Sequence, residues 1–192
     1  MGAAGTKNIR RVVSTFLLFT LWLVVTCATS ARAASPAEYQ VKAAFLLHFT
    51  RFIEWPATAF PSGPSSLVIC VVGQDPFGAA LDRTVKGQAV DGKSLVVRRI
   101  KQLQRDESCH VAFVGASEEN KLDELLGAIK NSPVLTVGDV ENFAAAGGMI
   151  NLVVEEQKIR FEINLESAER AGLKISSRLL QLAKNVREGK RP

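Results

Sequence analysis

The sequence predicts an α/β fold: a single domain with a mostly parallel sheet, helices on both of its faces, and a C-terminal antiparallel hairpin. Three observations predict it. LVICVVG, CHVAFVG and PVLTVGD are short, continuous apolar runs of the kind that form strands buried on both faces. Helical stretches with cap residues separate these runs, as the crossovers of a parallel sheet require. Near the C-terminus, MINLVVEEQKIRFEINL reads as two strands around EEQK. A chain of 192 residues suits one domain with a sizeable core.

The first 33 residues are set apart from that domain. KNIRR at 7–11 is a basic segment, residues 12–26 form an apolar run, and Ala31-Arg32-Ala33 is an Ala-x-Ala cleavage site. This is the pattern of a secretory signal peptide, which leaves residues 34–192 as the exported domain. The apolar run is short for a membrane span. The chain carries a net charge of +5, but the leader holds Lys7, Arg10, Arg11 and Arg32 and no acid, so the exported part is close to neutral. The basic balance is therefore no argument for a nucleic-acid partner. Cys27 also belongs to the leader. Cys70 and Cys109 remain, and in an oxidising compartment such a pair reads as one disulfide, with two buried thiols as the alternative.

Ser35, Pro36 and Glu38 form the N-terminal signature of a helix that is expected to run to Pro56. Val41, Phe45, Phe49 and Phe52 recur on one face of it, and Leu46, Leu47 and Ile53 widen that face until little of the circumference is polar. Such a helix is buried on two sides, against its own core and, as one option, against a second copy or a partner. After the turn-rich AFPSGPSS comes the strand LVICVVG. Asp75-Pro76 is expected to cap a short helix over 76–85, KGQAVDGK to turn, and SLVVRRI and CHVAFVG to form strands. Ser117 is expected to cap a helix over 118–130, and Asp139 one over 140–146 that stops at Gly147-Gly148. Asn164 caps the helix that ends at Gly172, and residues 175–186 form a last amphipathic helix carrying Leu179, Leu180, Leu182 and Val186.

No catalytic constellation emerges. The glycines of GQDPFG lack the ending of a phosphate loop and the spacing of a dinucleotide fingerprint. GASEE begins like a nucleophile elbow, but Glu119 stands where the second glycine belongs. His48 and His110, the only histidines, have no metal-ligand spacing to another His or Cys. Neither an enzyme activity nor a metal or other cofactor is expected, and the chain reads as a binding module.

EYQVKAAFLLHFTRFIEWP, ICVVGQDPFG, CHVAFVG, LTVGD, FAAAGGMINLV and IRFEINLESAERAGLKISSRLLQLA, in this order over roughly residues 37–186, resemble the YfiR family of periplasmic proteins. The resemblance implies a periplasmic repressor that binds the periplasmic part of an inner-membrane diguanylate cyclase and so tunes cyclic di-GMP and biofilm formation. It also implies a homodimer and an outer-membrane lipoprotein that sequesters the repressor. Cys70 and Cys109 match the family's cysteine pair on neighbouring strands, while the second pair of some members has no counterpart here. The bond between them is expected to hold the repressing conformation. Val41, Phe45, Phe49, Phe52 and Trp55 on or just after the first helix, with Gly147, Gly148, Met149 and Ile150, are the candidate interface. The alternative is a periplasmic small-molecule sensor without cyclase control. Its pocket would lie at the carboxyl ends of the parallel strands, near Gly73–Gly78, Gly115–Ser117 and Gly138–Asp139.

Overall fold

The structure, a computed structural model, describes residues 35–60, 66–104 and 108–189. The expected export signal and part of the AFPSGPSS linker lie outside the described residues. Among the described residues there are ten strands: β1 (Ile53–Glu54), β2 (Ser66–Val72), β3 (Ala89–Val90), β4 (Lys93–Ile100), β5 (Val111–Val114), β6 (Leu135–Gly138), β7 (Ile150–Glu155), β8 (Lys158–Asn164), β9 (Lys174–Ile175) and β10 (Asn185–Arg187). Eight of them form one sheet in the order β10-β8-β7-β6-β5-β2-β4-β3. From β4 through β2, β5 and β6 to β7 the neighbours are parallel. Hairpins add β3 and β8 antiparallel, and β10 lies parallel to β8. β1 and β9 form a separate two-stranded ribbon. The expected α/β architecture with a C-terminal hairpin is the one observed.

The apolar runs take the centre because β5, β6 and nearly all of β2 are buried on both faces. Strand alternation sends Leu67, Ile69, Val71 and Phe113 to one face and Val68, Cys70, Val72 and Val114 to the other, giving two apolar layers. Helices α1 (Pro36–Thr50) and α2 (Ala79–Val85) cover the first face, with α4 (Leu165–Arg170) and α5 (Ser177–Leu182) contributing Ala168 and Leu179 to its layer. On the second face lies α3 (Leu122–Ala128).

Several expected boundaries are corrected by tertiary pairing. α1 begins as expected, with the Ser35 hydroxyl accepting the Glu38 N–H at 3.2 Å. It ends at Thr50, not Pro56, because Ile53 and Glu54 leave the helix to pair with β9 and Ile53 enters the core. α2 starts at Ala79, three residues late. Asp75 accepts the Phe77 N–H at 2.8 Å and folds a local turn ahead of the helix, and Gly78 then enters it at φ +51°. Residues 140–146 form turns, since Asp139 is engaged elsewhere and gives them no cap. The final helix stops at Leu182, and Asn185–Arg187 add a strand to the open edge of β8. Asn164 does cap α4, accepting the Ser167 N–H at 3.0 Å.

A covalent and a polar bond tie β2 to the chain entering β5. Cys70 and Cys109 are joined as a disulfide with their Cα atoms 5.8 Å apart, inside the layer beneath α3. One residue on, the buried His110 exchanges two bonds with Val68: its N–H donates to the Val68 carbonyl at 2.9 Å, and its Nδ1 accepts the Val68 N–H at 3.1 Å. Phe60 stacks on the ring at 4.4 Å. An Nδ1 that accepts a backbone proton must be unprotonated. Burial lowers the His110 pKa from its ordinary value, the hydrogen bond with the Ala59 backbone opposes this, and the charge of Lys93 lowers it further.

Two predictions follow from this junction. The disulfide closes a loop spanning 39 positions. In the chain-entropy model a closure of that length is worth roughly 4 kcal/mol. The double substitution Cys70→Ala, Cys109→Ala is expected to lower the thermal midpoint by about 10 °C, as differential scanning calorimetry would measure. The pH dependence has the sign of a histidine kept neutral by folding. The unfolded chain takes up the proton first, so stability is full above about pH 6.5 and falls as pH drops towards the lowered folded pKa. His110→Gln is expected to flatten that segment of a urea-denaturation pH profile.

Candidate functional site

The carboxyl ends of the parallel strands are where an open α/β sheet usually leaves a crevice. Here β2 connects to β4 on one side while β5 lies on the other, so the reversal falls between β2 and β5. Side chains of the protein itself fill it. Gly73 follows β2 at φ +75°, and a Cβ at this position would fall within the Glu118 carboxylate. Glu118 is 7% exposed and accepts the Ser117 hydroxyl at 3.0 Å. Ser117 in turn accepts the Gln74 N–H at 3.1 Å, so it closes this junction and does not cap α3. At the neighbouring strand end, Phe143 packs so tightly on Gly138 and Gly148 that neither could carry a side chain without displacing it. Of the segments expected to line a pocket, Gly73 is thus covered by Glu118 and Gly138 by Phe143, while Gly78 has open space beside it.

Beside this closure lies the most deeply buried charge pair among the described residues. Lys42 of α1 reaches Asp139, at the end of β6, at 2.6 Å, with both side chains under 5% exposed. Glu38 approaches the same ammonium at 2.6 Å, and the Tyr39 hydroxyl donates to Asp139 at 2.9 Å. Burial raises the Tyr39 pKa far above its ordinary value, and the Asp139 charge and hydrogen bond raise it further, so the phenol is a fixed donor. The Tyr39 ring meets Phe77 edge-on at 5.3 Å, and Phe77 meets Phe113 at 4.6 Å. The cluster pins the N-terminal half of α1 to the sheet. No set of His, Cys, Asp or Glu suited to a metal occurs among the described residues.

The residues expected to form an interface divide into two sets. Phe49 and Ile150 are fully buried, and Gly148 and Met149 are also buried, so these four belong to the core. Phe49 meets Phe161 at 5.2 Å, and Ile150 pairs with Ile163 in the β7–β8 ladder. Val41 is 47% exposed, whereas Phe45, Phe52, Trp55 and Gly147 are half-buried. Trp55 has a structural task as well, donating its indole N–H to the His110 carbonyl at 3.3 Å.

Sequence reasoning missed the Lys42–Asp139 pair and the role of Glu118. A lysine set among apolar residues in the first helix was the available signal for the former. Removing one partner of a buried ion pair leaves the other uncompensated, at a cost of roughly 3–5 kcal/mol. Lys42→Met is expected to be destabilised by about that much in urea, and Lys42→Met combined with Asp139→Leu to recover part of the loss. Equal stability of the single variant and the parent would show that the pair anchors nothing.

No helix among the described residues is long and apolar enough to cross a membrane. Among solved structures, this chain is similar to a conserved domain protein from Vibrio cholerae O1 biovar El Tor strain N16961, with 13% identity and a TM-score of 0.49. The likeness covers 76% of this chain and 60% of that one. The profile of the YfiR/HmsC-like family matches residues 39–184, which runs from the half-buried Tyr39 of α1 to the residue before β10. By that match, across the disulfide-bonded sheet and both of its apolar layers, the chain belongs to the YfiR/HmsC-like family.

Proposed function

We propose that this protein is a periplasmic regulator that represses an inner-membrane diguanylate cyclase by binding its periplasmic part, and so tunes cyclic di-GMP and biofilm formation. The observation that carries the reading is the family match over residues 39–184. The buried Cys70–Cys109 bond supports an oxidising compartment. The filled carboxyl-end crevice favours action by protein contact over turnover of a substrate there. We read the protein as non-catalytic and dimeric, with an outer-membrane lipoprotein as the partner that withdraws it from the cyclase.

Repression by contact is a population shift: a regulator that binds the inactive arrangement of the cyclase more tightly draws it there. A preference of about 3 kcal/mol moves the equilibrium more than a hundredfold. The contact surface in this reading is the exposed Val41 with the half-buried Phe45, Phe52, Trp55 and Gly147. The disulfide serves it indirectly, by keeping the sheet that carries α1 intact.

The test is cellular cyclic di-GMP in a deletion strain that expresses the candidate cyclase. A rise on deletion, reversed by the exported protein, is expected. Val41→Glu, a change at an exposed site, is expected to fold normally and to restore repression only in part. An unchanged cyclic di-GMP level on deletion would overturn the reading.

A further inference from the structure

On the face of the sheet opposite α1, helical cover runs out at β6. α3 packs over Cys70, Ala112 and Val114, but the polar Thr136 of β6 and Asn164 of β8 lie beyond its apolar layer. One level of the ladder crosses this region. The Met149 N–H donates to the Thr136 hydroxyl at 2.9 Å, the Asn164 N–H donates to the Met149 carbonyl at 2.7 Å, and Asn164 pairs with Arg187 of β10. A cavity of about 510 Å³ lies over this row. Its walls are the end of α3, with Leu126 and Ile129, the segment Ala145–Gly147, and α4, with Ser167 and Arg170.

The floor and walls are braced by bonds that do not use the cavity. The Asn164 side chain donates to the Ala144 carbonyl at 2.8 Å and accepts the Ser167 N–H at 3.0 Å, so it fixes the loop and α4 on two sides. Phe143, seated on Gly138 and Gly148, holds the same loop down on the sheet. Arg170 is oriented by Glu166 at 2.8 Å and by the Ser167 hydroxyl at 3.2 Å. Arg187 forms no ion pair among the described residues and stands exposed in the cavity wall. Two guanidinium groups, Arg187 and the Glu166-paired Arg170, thus share one cavity with the carboxylate of Asp123 and apolar surface from Leu126 and Met149. The volume falls in the range of small-molecule sites, roughly 300–1,000 Å³. Guanidinium groups match the planar or tetrahedral oxygens of carboxylates and phosphates.

We propose that this cavity binds a small organic anion, a carboxylate or phosphate monoester, with its head group at Arg187 and Arg170 and its apolar body against Leu126 and Met149. The proposal goes beyond the cyclase reading and does not depend on it, because binding is measured on the purified protein alone.

The experiment is isothermal titration of the exported protein with phenyl phosphate and with benzoate, using benzyl alcohol as the uncharged control. Saturable binding of at least one anion, absent for the alcohol, is expected, and which anion binds distinguishes the two head groups. Arg187→Gln removes a charge from an exposed side chain, so it is expected to keep the thermal midpoint and to weaken binding at least tenfold. Ala146→Trp, at an exposed position in the wall, is expected to block binding without changing the charge. The absence of saturable binding of either anion to the parent at millimolar concentration, or equal affinity in the parent and Arg187→Gln, would overturn the proposal.

Discussion

The constraint on which the structure depends is the burial of β2, β5 and β6 on both faces. Three strands with apolar side chains above and below must be covered twice, and the cover has to come from segments distant in sequence. On one face the cover is α1, assisted by α2 and by Phe161 of β8. On the other it is α3, helped by Val140 and Phe143 from the loop after β6. Burial of this extent makes the sheet stable in one arrangement and leaves little room inside it for chemistry.

Two devices fix the cover at points where apolar packing alone has no direction. The Lys42–Asp139 pair, with Glu38 and Tyr39, sets where α1 begins to cross the sheet. A buried ion pair is a weak source of net stability but strongly penalises any arrangement that separates its partners. The junction of Cys70, Cys109 and His110 sets how the chain entering β5 meets β2. Covalent and polar constraints here act on neighbouring residues, so the strand enters the sheet in a single register.

These devices also shape what the surface offers. The crevice at the strand ends is closed by Glu118 over Gly73 and by Phe143 over Gly138. Space survives where the second face loses its helical cover, beyond the end of α3. The half-buried aromatics Phe45 and Phe52 pack against the first layer from its margin. The proposed contact surface and the proposed anion cavity therefore belong to different regions of one sheet.

The sequence by itself determined the α/β class, the three central strands, the hairpin, the Ser35 and Asn164 caps and the cysteine pair. Each of these is written in local pattern: continuous apolar runs, cap residues at fixed offsets, and two thiols on apolar runs of the folded domain. Tertiary structure alone decided the end of α1 at Thr50, the strand at 185–187 and the turns at 140–146, because pairing partners far along the chain outbid local helix signals. It also decided which apolar residues of the expected interface are core. Phe45 and Phe49 have the same helical spacing, yet only the second is wholly buried, and that difference depends on Phe161 and the strands beneath. The Lys42–Asp139 pair spans 97 residues and the cavity on the second face draws on α3, α4, β6 and β10. Periodicity reports which side of an element is apolar, but which groups meet across such separations is settled only when the elements pack.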